Sequence, residues 1–293
     1  MTGFRANTYS EDGTGGHDGS DPALVLGAVR EDIRQTLRTG WIDPTLDAIA
    51  AYPVFFTAAW SAIRPNVGKS FLVLARSLRT EAADAVRSWV DVPDLRKRLD
   101  GELSEGEVTR IVECARAAHL VMAKTQIVVH GFTRAVRRER LKGTGREEPP
   151  VRRGIPEWQR WMSFQPAPER AQDVLQEAAR LYSLPGPPAA FRLFARWPSA
   201  LLAAWSELRL HLGGDDWKAA SLRLRRMTMA GVSSLPHPVD LQWAALRARG
   251  FEEQDRVQLA EALGEHDAAM PAQTLTAAFL WATFGAPDVG SEG

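Results

Sequence analysis

The 293-residue sequence predicts an all-α chain made of two tandem helical repeats, related by a pseudo-twofold axis within one unit. Three observations carry this. First, residues 46–68 return as residues 191–213 with 8 of 23 positions identical: Ala50/195, Pro53/198, Ala58/203, Ala59/204, Trp60/205, Ser61/206, Arg64/209 and Gly68/213. An offset of 145 residues is too long for a solenoid unit and fits a duplicated half. Second, apolar residues recur at helical spacing while strand-like alternation is nearly absent. Third, residues 143–168 hold Gly143, Gly145, Pro149, Pro150, Gly154, Pro156, Pro166 and Pro168, which break any regular pattern midway.

The predicted order follows. Residues 1–22 are rich in Gly, Ser, Asp and Thr, with too little apolar surface to offset ordering entropy, and read as a disordered tail. Repeat 1 spans 23–142. Its first helix, 23–38, carries Leu24, Leu26, Val29, Ile33 and Leu37 at a helix-like spacing. Asp43-Pro44 starts the second: Asp caps free amides and Pro is preorganised for the first helical position. Pro53 should end that helix and open the next, 53–64, with Phe55, Phe56, Ala59, Trp60 and Ile63. Residues 70–90 read as an amphipathic helix, and 105–140 as one long helix or a broken pair. After the 143–168 linker, whose Trp158 and Trp161 should pack on a domain surface, repeat 2 spans 169–286. Helices are expected at 169–183 and near 189–196, 198–210, 215–231, 239–249, 252–264 and 271–284. Residues 287–293 form a second polar tail.

Composition narrows the function. The 36 basic and 36 acidic residues cancel, so no global field favours nucleic acid or an anionic membrane. No apolar run of about 18 residues offers a spanning helix, and the N-terminus lacks a secretory pattern. A single cysteine, Cys114, excludes an internal disulfide and fits a reducing cytoplasm. Gly68-Lys69-Ser70 echoes the end of a phosphate loop without its first glycine or strand. The six histidines show no metal-ligand spacing, so neither metal nor cofactor is expected. The run Arg134, Arg137, Arg138, Arg140, Lys142 lacks the aromatics of an RNA surface and suits a helix C-terminus. A small molecule is the expected partner, and a homodimer is compatible with all of this.

At the paired segments the sequence resembles the group I (DL-)2-haloacid dehalogenases. The resemblance is carried by Asp32-Ile33-Arg34, Leu37, Trp41 and Leu46 to Trp60. In the second half it is carried by Phe191 to Pro198, Ala204-Trp205 and Leu235-Pro236. It implies two fused helical repeats with the active site between them. It also implies cofactor-independent hydrolysis of short 2-haloacids of both hands, without a covalent enzyme intermediate. In that family the base is an Asp just before the aromatic-Arg pair of repeat 2. Here that position is Ala190, preceded by Ala189 where a small polar residue is usual. The family's Asn-Pro-Lys aligns with Met122-Ala123-Lys124, and Asp47 stands where repeat 1 normally has Arg. Trp41, a pocket-wall position by resemblance, is kept.

Displacing a halide with water needs a base, donors for the substrate carboxylate and a shielded pocket. Asp43 and Asp47 flank Thr45, the counterpart of Ala190, and could supply a carboxylate moved across the twofold. Both also fit helix capping or the helix dipole. His119, one turn before Met122, is a substitute imidazole or a core residue. Cys114 and His119, five helical positions apart, point away from one another. Trp41, Pro44, Met122, Thr125, Ala189, Ala190, Arg192, His266 and Met270 complete the expected pocket, with Arg192 either holding an anion or tying helices together. Trp60 and Trp205 read as core. The leading expectation is a diverged enzyme using an apolar pocket for cyclisation, elimination or rearrangement. A hydrolytic dehalogenase with a relocated base and a non-catalytic binding protein are the alternatives.

Overall fold

A computed structural model describes residues 22–89, 92–149 and 151–285. The predicted tails fall outside these, apart from Pro22. The first half carries α1 (Pro22–Leu37), α2 (Pro44–Ile49), α3 (Pro53–Ile63), α4 (Lys69–Trp89), α5 (Leu95–Arg98) and α6 (Glu105–Val136). The second carries α7 (Glu169–Leu181), α8 (Ala189–Phe194), α9 (Pro198–Leu208), α10 (Asp215–Val232), α11 (Trp243–Ala248) and α12 (Glu253–Phe284). The protein is all-α: the β pairing among the described residues is one isolated bridge, Leu141 to Val239.

Three of the six helix pairs match in length across the halves. α2 and α8 have 6 residues each, α3 and α9 have 11, and α6 and α12 have 32. Local chemistry recurs as well. α3 and α9 both start on proline, where the missing N–H costs nothing. The Trp60 indole donates to Asp32, 28 residues upstream, at 2.8 Å. The Trp205 indole donates to Glu177, again 28 residues upstream, at 2.7 Å. Each bond lets a large ring be buried while its one polar hydrogen is satisfied.

α6 and α12 pack along one another through the centre. Both begin with capping boxes, Ser104 with Glu107 and Glu252 with Asp255. Between them the Gln126 amide donates to Thr228 Oγ1 and accepts from Thr274 Oγ1, each at 2.6 Å, which joins α6, α10 and α12. The His130 imidazole of α6 also meets the Asp267 carboxylate of α12 at 3.0 Å, and around these polar contacts the interface is alanine-rich, with Ala115, Ala118, Ala123, Ala277 and Ala278 at or below 1 % exposure. Such small side chains let two long backbones approach closely.

Two expectations change. The helices expected at 252–264 and 271–284 are one continuous helix with Pro271 inside it. A mid-helix proline costs roughly 3 kcal/mol, but residues 269–271 and 273–280 are buried, and packing outweighs that local cost. The helix expected at 239–249 starts only at Trp243. Val239 instead exchanges both backbone bonds with Leu141, leaving that stretch no helical partner. Residues 143–168 run over the surface. The Glu148 carboxylate caps the Ser70 amide, Arg116 lies 5.0 Å over the Trp158 ring and Trp161 donates to Glu113. Gly143 has φ +71°, and a Cβ there would stand 2.6 Å from the His237 backbone, so only glycine fits that crossing.

Candidate active site

α2 and α8 face a common cavity of about 340 Å³. Its lining includes Asp43, Pro44, Thr45, Asp47, Ala48 and Ala51 from around α2, then Leu184 to Ala189 and Arg192 from the approach to α8, with His266 and Gln273 from α12.

The polar centre is built by the start of α2. Asp43 is its N-cap, in extended conformation, with Oδ1 accepting from the Thr45 amide at 2.9 Å. Pro44 at the first helical position fixes that geometry. Oδ2 of the same carboxyl is buried without a hydrogen-bond partner. Burial pushes the Asp43 carboxyl up to about 6, against the pull of hydrogen bonds from the Thr45 backbone and side chain and the nearby Arg192 charge. Capping therefore uses one oxygen and leaves the other buried and unsatisfied.

Thr45 Oγ1 lies 3.1 Å from His266 Nδ1, linking α2 to α12. Burial holds the His266 imidazole down at about 4, so it is neutral near pH 7, and its Nε2 has no partner. Thr45 has one hydroxyl proton. If it goes to the Asp43 carboxylate, His266 must donate from Nδ1, which leaves the lone pair on Nε2. A buried carboxylate oxygen and a buried imidazole nitrogen are then both acceptors without a donor. Arg192 adds a cation, with its guanidinium carbon 4.2 Å from the centre of the Phe164 ring.

Of the residues expected from sequence, Asp43, Asp47, Pro44, Ala189, Arg192 and His266 line this cavity. Asp47 is exposed at its edge and pairs with Arg30 at 2.7 Å. Trp41, Met122, Thr125, Ala190 and Met270 are outside the lining and buried in the interior. His119 is also outside it, stacked on Trp281 with ring centroids 6.3 Å apart. Burial, with Arg79 and Arg87 nearby, pushes His119 down to about 3, which makes it a poor base. Burial pushes the Cys114 thiol up to about 12. Among the described residues no group of three or more His, Cys, Asp and Glu is placed to hold a metal, and no helix is long and apolar enough to cross a membrane.

Sequence reasoning did not select Thr45, Gln273 or the Leu184–Pro188 wall. Thr45 was marked only as the counterpart of Ala190. Gln273 shares a helix face with His266, seven residues before it. That relation was hidden because the reading broke the helix between them.

No family model matches the chain. It is 24 % identical over 219 residues to an (R)-2-haloacid dehalogenase of Rhizobium sp. (strain NHG3), covering 72 % of this chain and 83 % of that protein. A D-2-haloacid dehalogenase solved with L-LA superposes with a TM-score of 0.80 at 17 % identity, over 90 % of this chain and 93 % of the other. A mutant D-2-haloacid dehalogenase solved with D-2-CPA gives 0.80 and 17 %, over 88 % and 91 %. The resemblance to the 2-haloacid dehalogenases therefore holds in sequence and in fold.

Proposed function

We propose that this dehalogenase-like chain is an enzyme that acts on a small carboxylic acid in the α2–α8 cavity, with Asp43 as the base. The site lies between two repeats related by a pseudo-twofold, a reading supported by the matched helix lengths and the paired Trp60–Asp32 and Trp205–Glu177 bonds. The observation that carries the proposal is Asp43, a residue of the cavity wall whose Oδ2 is buried without a hydrogen-bond partner. A carboxyl pushed up to about 6 is ionised at neutral pH and a stronger base than an ordinary one.

In the hydrolytic reaction a water donates to Asp43 Oδ2, with His266 Nε2 as a second acceptor, and so turns a lone pair toward C2. Its oxygen attacks C2 opposite the halogen, and the electron pair of that bond leaves with the halide. The water proton passes to Asp43, giving a 2-hydroxy acid, and the carboxyl later returns the proton to solvent. Arg192 holds the substrate carboxylate. This reading takes up the relocated-base alternative, supported by a cavity wall that includes Asp43 and not Ala190.

One feature favours a second reaction. The wall from Leu184 to Ala189 has three prolines and no polar side chain, which suits chemistry without water. Asp43 would then take a proton from C3 while the C–H electrons form a double bond and the halide departs. Incubating 2-bromo acids of three to eight carbons in ¹⁸O water tests both. Halide release with labelled 2-hydroxy acid supports hydrolysis, whereas an unsaturated acid supports elimination. No halide at high enzyme concentration overturns both.

A further inference from the structure

The lining of the cavity changes character with depth. Asp43, Thr45, His266 and Gln273 are 3 %, 3 %, 6 % and 2 % exposed, so the polar groups form a buried floor. Ala48, Leu184, Gly186 and Pro187 are half-buried, while Ala51 and Pro185 are exposed, so a largely apolar rim opens to solvent, with the exposed Asp47, paired to Arg30, and the half-buried Arg192 as the charged members of the lining. Proline has no backbone N–H, so Pro185, Pro187 and Pro188 also strip this wall of hydrogen-bond donors and stiffen it. Ala48 and Ala51 offer only methyl groups across from it. Beyond the floor, this wall has little to offer a polar substituent.

Volume points the same way. A three-carbon 2-halo acid has six heavy atoms. At the ~30 Å³ that one water claims in the liquid, it fills no more than roughly 180 Å³. The cavity holds about 340 Å³, close to half of it left over. Pockets of this size ordinarily enclose most of a larger ligand's surface.

We propose that the site takes a carboxylic acid with an apolar tail of about six to eight carbons, its head on the polar floor and its tail on the rim formed by Ala48, Ala51 and Leu184–Pro188. Arg192, on the cavity wall and braced by Phe164, is the cation for the carboxylate. The substrate class rests on the preceding reading of the site as an acid-processing one, but it is a claim about binding and can fail separately.

Calorimetric titration of the full chain with propionate, octanoate and octanamide tests it without any turnover. Each buried methylene is worth roughly fourfold in affinity, so octanoate should bind at least tenfold more tightly than propionate. Octanamide, lacking the charge, should lose at least tenfold against octanoate. In Ala51→Trp, an exposed position that can carry a ring without disturbing the core, the octanoate advantage should vanish while propionate binds as before. Equal binding of propionate and octanoate, or an octanoate affinity indifferent to Ala51→Trp, overturns the proposal. Asp43→Asn separates this from the catalytic reading: loss of halide release with retained octanoate preference leaves both standing, whereas unchanged halide release overturns the base and leaves the tail site.

Discussion

The starts of α2 and α8 occupy corresponding places, 145 residues apart, and do different things. At α2 the sequence Asp43-Pro44-Thr45 puts a carboxyl and a hydroxyl on a buried surface, with His266 of α12 against the hydroxyl. At α8 the sequence Pro188-Ala189-Ala190 puts two methyl groups there, and Pro188 caps nothing with its side chain. Both helices have six residues, and the proposed chemistry draws on one of them only. On the proposed pseudo-twofold reading there are two frames, and a reaction needs one of them. The second can relax into packing, as Ala190 does at 2 % exposure, or become a wall, as Leu184 to Ala189 does.

Asp43→Asn should break the comparison most strongly. Asparagine still caps α2, so the fold stands while the base is lost, and kcat should fall about 10²- to 10⁴-fold. Its stability should also change with pH in a known direction. The Asp43 carboxyl binds its proton near 6 in the folded protein against 3.8 for an ordinary carboxyl. The folded state thus holds more protons between those values. The stability this supplies is complete below about 4 and lost as pH rises through 6. Relative to Asp43→Asn, the parent should therefore lose up to about 3 kcal/mol between pH 4 and 7. Thermal melts across that range measure it.

Placing the carboxyl in the other frame should mainly do harm. Ala190→Asp puts a charge where the structure provides no cavity, and about 2–4 kcal/mol of stability should be lost in chemical denaturation. Arg192→Gln should raise KM or Kd for acids about 10- to 100-fold with kcat little changed, since a charge-assisted bond is worth about 1.5–3 kcal/mol. Thr45→Ala makes α2 resemble α8. It removes a hydrogen bond that favours the ionised Asp43, so the acid limb of the kcat/KM profile should move to higher pH. The smallest effect concerns what the halves share. Trp60→Phe and Trp205→Phe each leave a part-buried carboxylate without its indole donor and should cost about 1 kcal/mol apiece. Clearly unequal losses would weaken the likeness of the halves.

The fold was legible because its signals are local. Pro53 and Pro198 open α3 and α9, and repeated apolar spacing marks α1, α4 and α7. The failures share one physical cause. Pro271 breaks a helix by local rules but not against α6, and that error hid the common face of His266 and Gln273. The site was half legible. Asp43 was visible as a cap, and capping was a sufficient account of it. Only the structure distinguishes the oxygen that caps from the one left buried without a partner. The contact between Thr45 and His266 joins residues 221 apart, and no spacing rule reaches that far.

The central claim is that the working carboxylate stands at the start of α2 and not at α8. Its most direct test is the pH dependence of kcat/KM for halide release from a 2-bromo acid, measured on the parent and on Asp43→Asn. The parent should rise through a midpoint near 6, where Asp43 ionises, and Asp43→Asn should be at least 100-fold slower across that range. Turnover in Asp43→Asn equal to the parent's, with the same midpoint, would contradict it.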